Sequence, residues 1–300
     1  MKLPFSGPSP ALAAFSLTAM AERPGLGHLV PGEARYLAAR FLSDKPRLRF
    51  WLDLIRLRGF QRWFERFESL TIPGLALHQA LRKLALEESV IHALEAGMEQ
   101  IVILGGGVDS LGARLARRYP DARFLELDAP AGLAAKRRIL GQSGYLSRNL
   151  ELIPMDLDRS DLGAALAALP GFRCDEPAFI LCEGVFMHLN PRAVERLFSD
   201  LAALPCPALR LAFTFMEPDD NGNPGFRGST ALSGFWFWLR GPRFGWGLPA
   251  RELGSFLARR GFALEEVADA KVFRTRFLPE SQAVVLAEGE KVAIASMIRR

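Results

Sequence analysis

Gln100-Ile-Val-Ile-Leu-Gly-Gly-Gly-Val-Asp-Ser-Leu111 runs a short apolar, β-branched stretch straight into three glycines and then into a helical pattern. A five-residue run of this kind suits a strand buried on both faces. Glycine lets the chain turn sharply at its end and approach a ligand without Cβ interference. The helix that follows has Leu111, Leu115 and Tyr119 along one side, and its N-terminus faces the turn, where an anion is favoured. Alone, this strand-turn-helix is shared by many nucleotide-binding folds. The strict dinucleotide pattern G-x-G-x-x-G/A is not met, because Ser110 holds the third place after Gly105 and Gly107.

The same grammar continues downstream. Residues 122–127 read as a second strand ending at Asp128, 150–154 as a third, 177–183 as a fourth and 209–216 as a fifth. Helical patterns separate them at 131–140, 161–169 and 191–204, with Pro191 in a first-turn position. Helix is further expected over 251–260 and a late strand over 283–286. Strands alternating with helices predict an α/β, Rossmann-like fold with a mostly parallel central sheet and helices on both faces. Upstream, residues 1–97 carry helical patterns and no convincing strand. Leu77, Leu81, Leu84, Ile91 and Leu94 recur at helical spacing before Gly97, and residues 50–67 read as one amphipathic helix mixing aromatic and basic residues. The expected organisation is an N-terminal helical cap over 1–97 and a Rossmann-like core over 98–300, with a substrate-pocket insertion around 217–250.

Ligands of such sheets bind beyond the carboxyl ends of the strands, and polar residues gather there. Asp128, about twenty residues beyond the glycines, can accept both hydroxyls of an adenosine ribose. Asp156-Leu157 follows the third strand, where a carboxylate can accept from an adenine amine. Glu183-Gly184 closes the fourth. Asp128 serves a dinucleotide and S-adenosylmethionine equally well, so it indicates a nucleoside and no particular reaction.

These motifs together resemble the leucine carboxyl methyltransferase family, whose bacterial members include O-methyltransferases of secondary metabolism. The resemblance covers about Arg82 to Leu204. It rests on QIVILGGGVDSL, on Glu126-Leu127-Asp128-Ala129-Pro130 with Lys136, on Asp156-Leu157, and on Glu183-Gly184 with His188-Leu189. It implies S-adenosyl-L-methionine as cofactor. Arg82 and the Gly105-Gly106-Gly107 turn, with Asp109, would hold its methionine portion. Asp128 would take the ribose, Asp156 and Leu157 would border adenine, and Glu183 would sit near the amino-acid end. Two positions depart from the family pattern: Leu111 stands where an arginine is usual, and His188 where a tyrosine is usual.

Methyl transfer requires alignment and exclusion of water more than proton transfer. A carboxylate acceptor, ionised at neutral pH, needs no base. The expected substrate is therefore a small-molecule or peptide carboxylate, with Arg240 and Arg243 as candidate anchors. The alternative is a hydroxyl acceptor, for which His188 is the candidate base or positioning group. A dehydrogenase and a non-catalytic binding protein are the remaining readings.

The formal charge of +5 is compatible with nucleic acid, an anionic membrane or a small acid. Basic residues form no run of five or six, which favours a local anionic site over a nucleic-acid track. Cys174, Cys182 and Cys206 have neither metal-ligand spacing nor an even count, so no metal is expected and a reducing cytoplasm fits. Pro4, Pro8 and Pro10 interrupt the apolar N-terminal stretch, so a secretory signal is not expected. No stretch reaches the ~20 apolar residues of a membrane span.

Overall fold

The fold is a seven-stranded sheet in the order β3-β2-β1-β4-β5-β7-β6, covered on both faces by helices. The computed structural model describes residues 10–44, 46–219, 222–227, 244–280 and 284–298. Its strands are β1 (Gln100–Leu104), β2 (Arg123–Asp128), β3 (Leu150–Pro154), β4 (Ala178–Cys182), β5 (Leu209–Met216), β6 (Phe262–Ala268) and β7 (Glu290–Met297). The helices of the sheet region are α6 (Leu111–Arg118), α7 (Pro130–Gln142), α8 (Leu162–Ala168), α9 (Pro191–Ala202), α10 (Ala250–Ala258) and α11 (Ala270–Phe277).

β1 is central because each of its residues is buried and it pairs in parallel on both sides, Ile101 lying opposite Phe124 of β2 and Phe179 of β4. Successive side chains alternate between the two faces. Ile101 and Ile103 enter one core; Val102 and Leu104 enter the other. Local capping starts the connecting helices. Asp161 accepts from the Ala164 N–H at 2.8 Å, Asn190 accepts from the Ala193 N–H at 2.9 Å, and prolines begin α7 and α9.

The first core is continuous with the N-terminal helices α1 (Pro10–Ala21), α2 (Gly32–Ser43), α3 (Pro46–Ile55), α4 (Arg58–Thr71) and α5 (Leu75–Glu95). Residues from Ala14 on α1 to Ile294 on β7 belong to that one cluster. α5 lies directly on β4, β5 and β7. The second core, under α8, α9 and α10, is aromatic: Phe186, Phe198, Phe213, Phe256, Phe262 and Trp246 meet with centroid separations near 5–6 Å.

Three sequence expectations are corrected. The helix expected over 50–67 is two helices, α3 and α4, because Leu57 is extended and the chain folds back to seat Phe60 on Trp51 and Phe15. Residues 284–286 are not a strand. They lead towards β7, which begins after Gly289 (φ 112°), where the alternating Val-Ala-Ile-Ala pattern starts. β6 was not expected at all: its Glu265 and Glu266 mask the alternation of a strand at the sheet edge. The last two strands also modify the topology. β7 runs antiparallel between β5 and β6, whereas the usual dinucleotide fold is parallel throughout.

Beneath the glycine turn, Glu126 of β2 and Lys136 of α7 form an ion pair with both side chains 1% exposed. Burial pushes the Glu126 carboxyl up, against the pull of the Lys136 ammonium. Breaking such a pair strands a charge, whereas removing both charges does far less harm. Lys136→Met should therefore destabilise the fold by about 3–5 kcal/mol in chemical denaturation, and Glu126→Gln/Lys136→Met by clearly less.

Candidate functional site

The strand ends place a set of ionised side chains around the glycine turn. Gly105 has φ +67° and Gly107 φ +52°, and the Gly105 N–H donates to the Leu127 carbonyl oxygen at 2.7 Å. A Cβ on Gly105 would lie 2.4 Å from Val185 Cγ2, and one on Gly106 would lie 2.4 Å from Glu126 Oε1. The underside of the turn is thus packed. Ideal Cβ positions on Gly107 and on Gly184 (φ +66°) meet nothing within 4 Å, so these two backbone segments face open space.

Asp128 closes the turn. One carboxylate oxygen accepts the Gly107 N–H at 2.6 Å and the other accepts the Ala129 N–H at 2.6 Å. Each oxygen keeps an acceptor position free for a second donor. Asp109 accepts the Leu111 N–H at 2.9 Å and pairs with Lys83 of α5. Burial alone would raise the Asp109 carboxyl, but the Lys83 ammonium outweighs it and holds it far below the usual carboxylate range.

Lys83 also reaches Glu183, at 3.0 and 3.1 Å from its two oxygens. Its neighbour Arg82 is the hub. Nε and Nη2 donate to Glu183 Oε1 at 3.0 and 2.6 Å, and Nη1 donates to Glu290 Oε2 at 2.5 Å. Burial works against the charge on Arg82, but the two carboxylates prevail and raise its pKa further. Burial would likewise raise the Glu290 carboxyl, yet Arg82 brings it down to about 2. His78 is fully buried beside this group, its Nε2 3.3 Å from Glu290 Oε2. Glu290 Oε1 and His78 Nδ1 are buried with no hydrogen-bond partner among the described residues.

Above these groups the loops form an aromatic roof. His188 lies 5.5 Å ring to ring from Phe244, Phe244 6.4 Å from Phe226, and Phe226 6.1 Å from His78. Glu217 holds this region in place by accepting the Ala250 N–H at 2.9 Å and by pairing with Arg227 and Lys291, each at 3.1 Å. His188 is exposed by area, but partial desolvation by its surroundings lowers the imidazole pKa below the usual value.

The structure therefore brings together Arg82, Gly105, Gly106, Gly107, Asp109, Asp128 and Glu183 at adjoining strand ends. Asp156 and Leu157 follow directly on Met155, whose N–H donates to the Asp128 carbonyl oxygen at 2.8 Å, but among the described residues their side chains make no hydrogen bond to that group. Asp156 is exposed and accepts the Asp158 N–H at 3.1 Å in a local turn, and Leu157 is buried in the second core. His188 belongs to the roof. Arg240 and Arg243 lie outside the described residues. Sequence reading missed Lys83, Glu290 and His78. His78 lies one turn back from Arg82 on the same helix, and that periodicity was its available signal; Lys83, the next residue, carried none of that kind.

A family model described as leucine carboxyl methyltransferase matches residues 36–202, more than half of the chain. The chain belongs to the leucine carboxyl methyltransferase family. Two relatives are provisionally named S-adenosyl-L-methionine-dependent methyltransferases. That of Parafrankia sp. (strain EAN1pec) is 34% identical over 134 residues, 44% of this chain and 42% of its own. That of Mycobacterium avium (strain 104) is 34% identical over 154 residues, 51% of this chain and 49% of its own. This chain thus spans about half the length of the curated relatives it matches. A protein of Thermobifida fusca YX, provisionally named a methyltransferase, shares the fold with a TM-score of 0.57. It is 21% identical, over 92% of this chain and 98% of its own.

The depressed carboxyls of Asp109 and Glu290 give a signed pH dependence. A carboxyl whose folded-state pKa lies below its unfolded value stabilises the fold above that value, near ~4, and loses the contribution as pH falls. Melting temperatures measured from neutral pH downwards should fall between about pH 4.5 and 2, and Glu290→Gln should flatten part of that decline.

Proposed function

We propose that the chain is an S-adenosyl-L-methionine-dependent O-methyltransferase whose acceptor is a carboxylate of a small molecule or a peptide C-terminus, giving a methyl ester. The observation that carries the cofactor reading is the charge balance around the glycine turn. Arg82 and Lys83 face Asp109, Glu183 and Glu290, two cations against three carboxylates, with Asp128 adjoining. That excess of negative charge suits a nucleoside ligand bearing a sulfonium and an ammonium group. It is a poor setting for the pyrophosphate of a dinucleotide, and the antiparallel β7 also departs from the dinucleotide fold.

The residues present fit such a ligand. Gly107 and Gly184 leave open space where backbone can be approached, and both Asp128 oxygens have capacity for ribose hydroxyls. Three of the five Arg82 N–H groups donate to Glu183 and Glu290, which leaves two for a ligand carboxylate. When bound, the cofactor supplies a methyl group activated by its positive sulfur. The chain's part is to hold the acceptor in line, to exclude water beneath Phe226 and Phe244, and to maintain the field set by the cluster. The family description and the dispensability of a base support a carboxylate acceptor. One observation favours a hydroxyl instead: His188 stands in the roof against Phe244, and desolvation there lowers its imidazole pKa, which favours the neutral form a general base requires.

Titration calorimetry with S-adenosylmethionine, S-adenosylhomocysteine and NAD tests the cofactor. The first two should bind and NAD should not, and Asp128→Ala should weaken them by roughly 10-fold or more, the effect of losing a charge-assisted hydrogen bond. Preference for NAD, or binding indifferent to Asp128, contradicts the reading. For the acceptor, base-labile methyl transfer from labelled cofactor to carboxylic acids is expected to persist in His188→Ala. Transfer only to hydroxyl compounds, lost in that variant, would establish the alternative.

A further inference from the structure

Residues 46–71, which form α3 and α4, carry six arginines against three carboxylates, an excess of three where the entire chain has a net charge of +5. Arg49, Arg56, Arg58, Arg62 and Arg66 are exposed, and none forms an ion pair with a described carboxylate. Arginines nearby behave otherwise: Arg23, Arg35, Arg114 and Arg138 are all paired. Of the three acids in the segment, Glu68 is buried against Arg23, leaving Asp53 and Glu65 at the surface.

Large apolar side chains stand among these arginines. Phe50 is 62% exposed, Leu57 55% and Trp63 45%. Ring contacts run without a break from Phe50 through Trp51 and Phe60 to Trp63, at 6.4, 5.8 and 5.3 Å, so the two exposed aromatics belong to one surface. The inner sides of the helices are firmly held. Phe64 is buried, Gln61 Nε2 donates to the Ile55 carbonyl at 2.6 Å, and Glu68 Oε1 accepts the Ala76 N–H at 2.5 Å. The outer side is thus a preformed helical face whose arginines and apolar groups have no use inside the fold.

We propose that this face of α3 and α4 docks on an anionic lipid surface. Arginines on the polar side with Trp, Phe and Leu between them are the composition of a helix lying in a bilayer interface. Each cation is drawn to the negative surface potential while the apolar groups enter the headgroup boundary. Docking is in-plane, since no helix among the described residues is long and apolar enough to cross a membrane. Nucleic acid is the weaker fit. Leu57 has no stacking face, and Trp63 is stacked on Phe67 at 5.6 Å and 14°, so one face of the indole is covered.

Flotation of the full chain with phosphatidylcholine vesicles, with and without phosphatidylglycerol, tests this. Anionic vesicles should retain at least about tenfold more protein than neutral ones at low salt, with the difference lost towards ~0.5 M salt. Arg62→Glu/Arg66→Glu should abolish the preference. Arg192→Glu/Arg259→Glu, the same change of charge on exposed residues of the opposite side of the sheet, should preserve it. Lipids brominated near the headgroup should quench tryptophan emission, and Trp63→Phe should remove most of that quenching. Equal retention by both vesicles, no retention, or a preference surviving the α4 charge reversal would overturn the proposal. Tighter binding to a duplex oligonucleotide than to the vesicles would replace it with nucleic-acid recognition.

Discussion

Three carboxylates from distant parts of the chain, Glu290 buried and Asp109 and Glu183 half-buried, converge beside the glycine turn, and the two adjacent cations of α5 make that convergence tolerable. Like charges ~4 Å apart repel by about 4 kcal/mol at an effective dielectric of ~20, and more where water is excluded. Arg82 spans Glu183 and Glu290 while Lys83 spans Glu183 and Asp109, so each cation serves two anions and Glu183 is shared. α5 is therefore fixed to the sheet by ionic contacts in its third turn as well as by its apolar stripe. An exposed pair such as Arg138 with Asp44 contributes little by comparison, because solvent screens it.

A second ion pair lies one layer deeper. Gly106 rests against the Glu126 carboxylate, which Lys136 neutralises. A side chain at 106 would displace that carboxylate, so the glycine answers to packing below it, while Gly107 answers to space above. The turn is thus defined from both sides, and Asp128 secures it through the Gly107 N–H.

The portion of the fold from β1 to β5 was legible in the sequence because every signal there is local. Strand, glycine turn and helix lie within twenty residues of one another, Glu183 follows a strand whose apolar run is unbroken, and Asp128 ends one interrupted inside only by Glu126. The C-terminal part was not legible for a physical reason. β6 is a polar edge strand, and β7 takes its partners from β5 and β6 across the sheet, which no short window reveals. Glu290 is hidden in the same way, since nothing in Glu-Gly-Glu foretells that Arg82, 208 positions earlier, will meet it. Asp156 shows the opposite case: the motif is plain in sequence, while the side chain stands exposed in a local turn.

The reversed direction of β7 sets an order on synthesis. In a parallel strand the first residue lies at the far edge of the sheet from the glycine turn; in β7 it lies at the near edge, which is how Glu290 comes to touch Arg82. β7 is also an inner strand, seated between two others. A nascent chain that has released everything through β6 can pair β1 to β5 and hold Arg82 against Glu183. It has no partner for the other side of the guanidinium, and β6 has no neighbour to join. The site and the sheet are completed by the same late event, so a ribosome-bound chain assembles the full Arg82 cluster only after β7 has emerged.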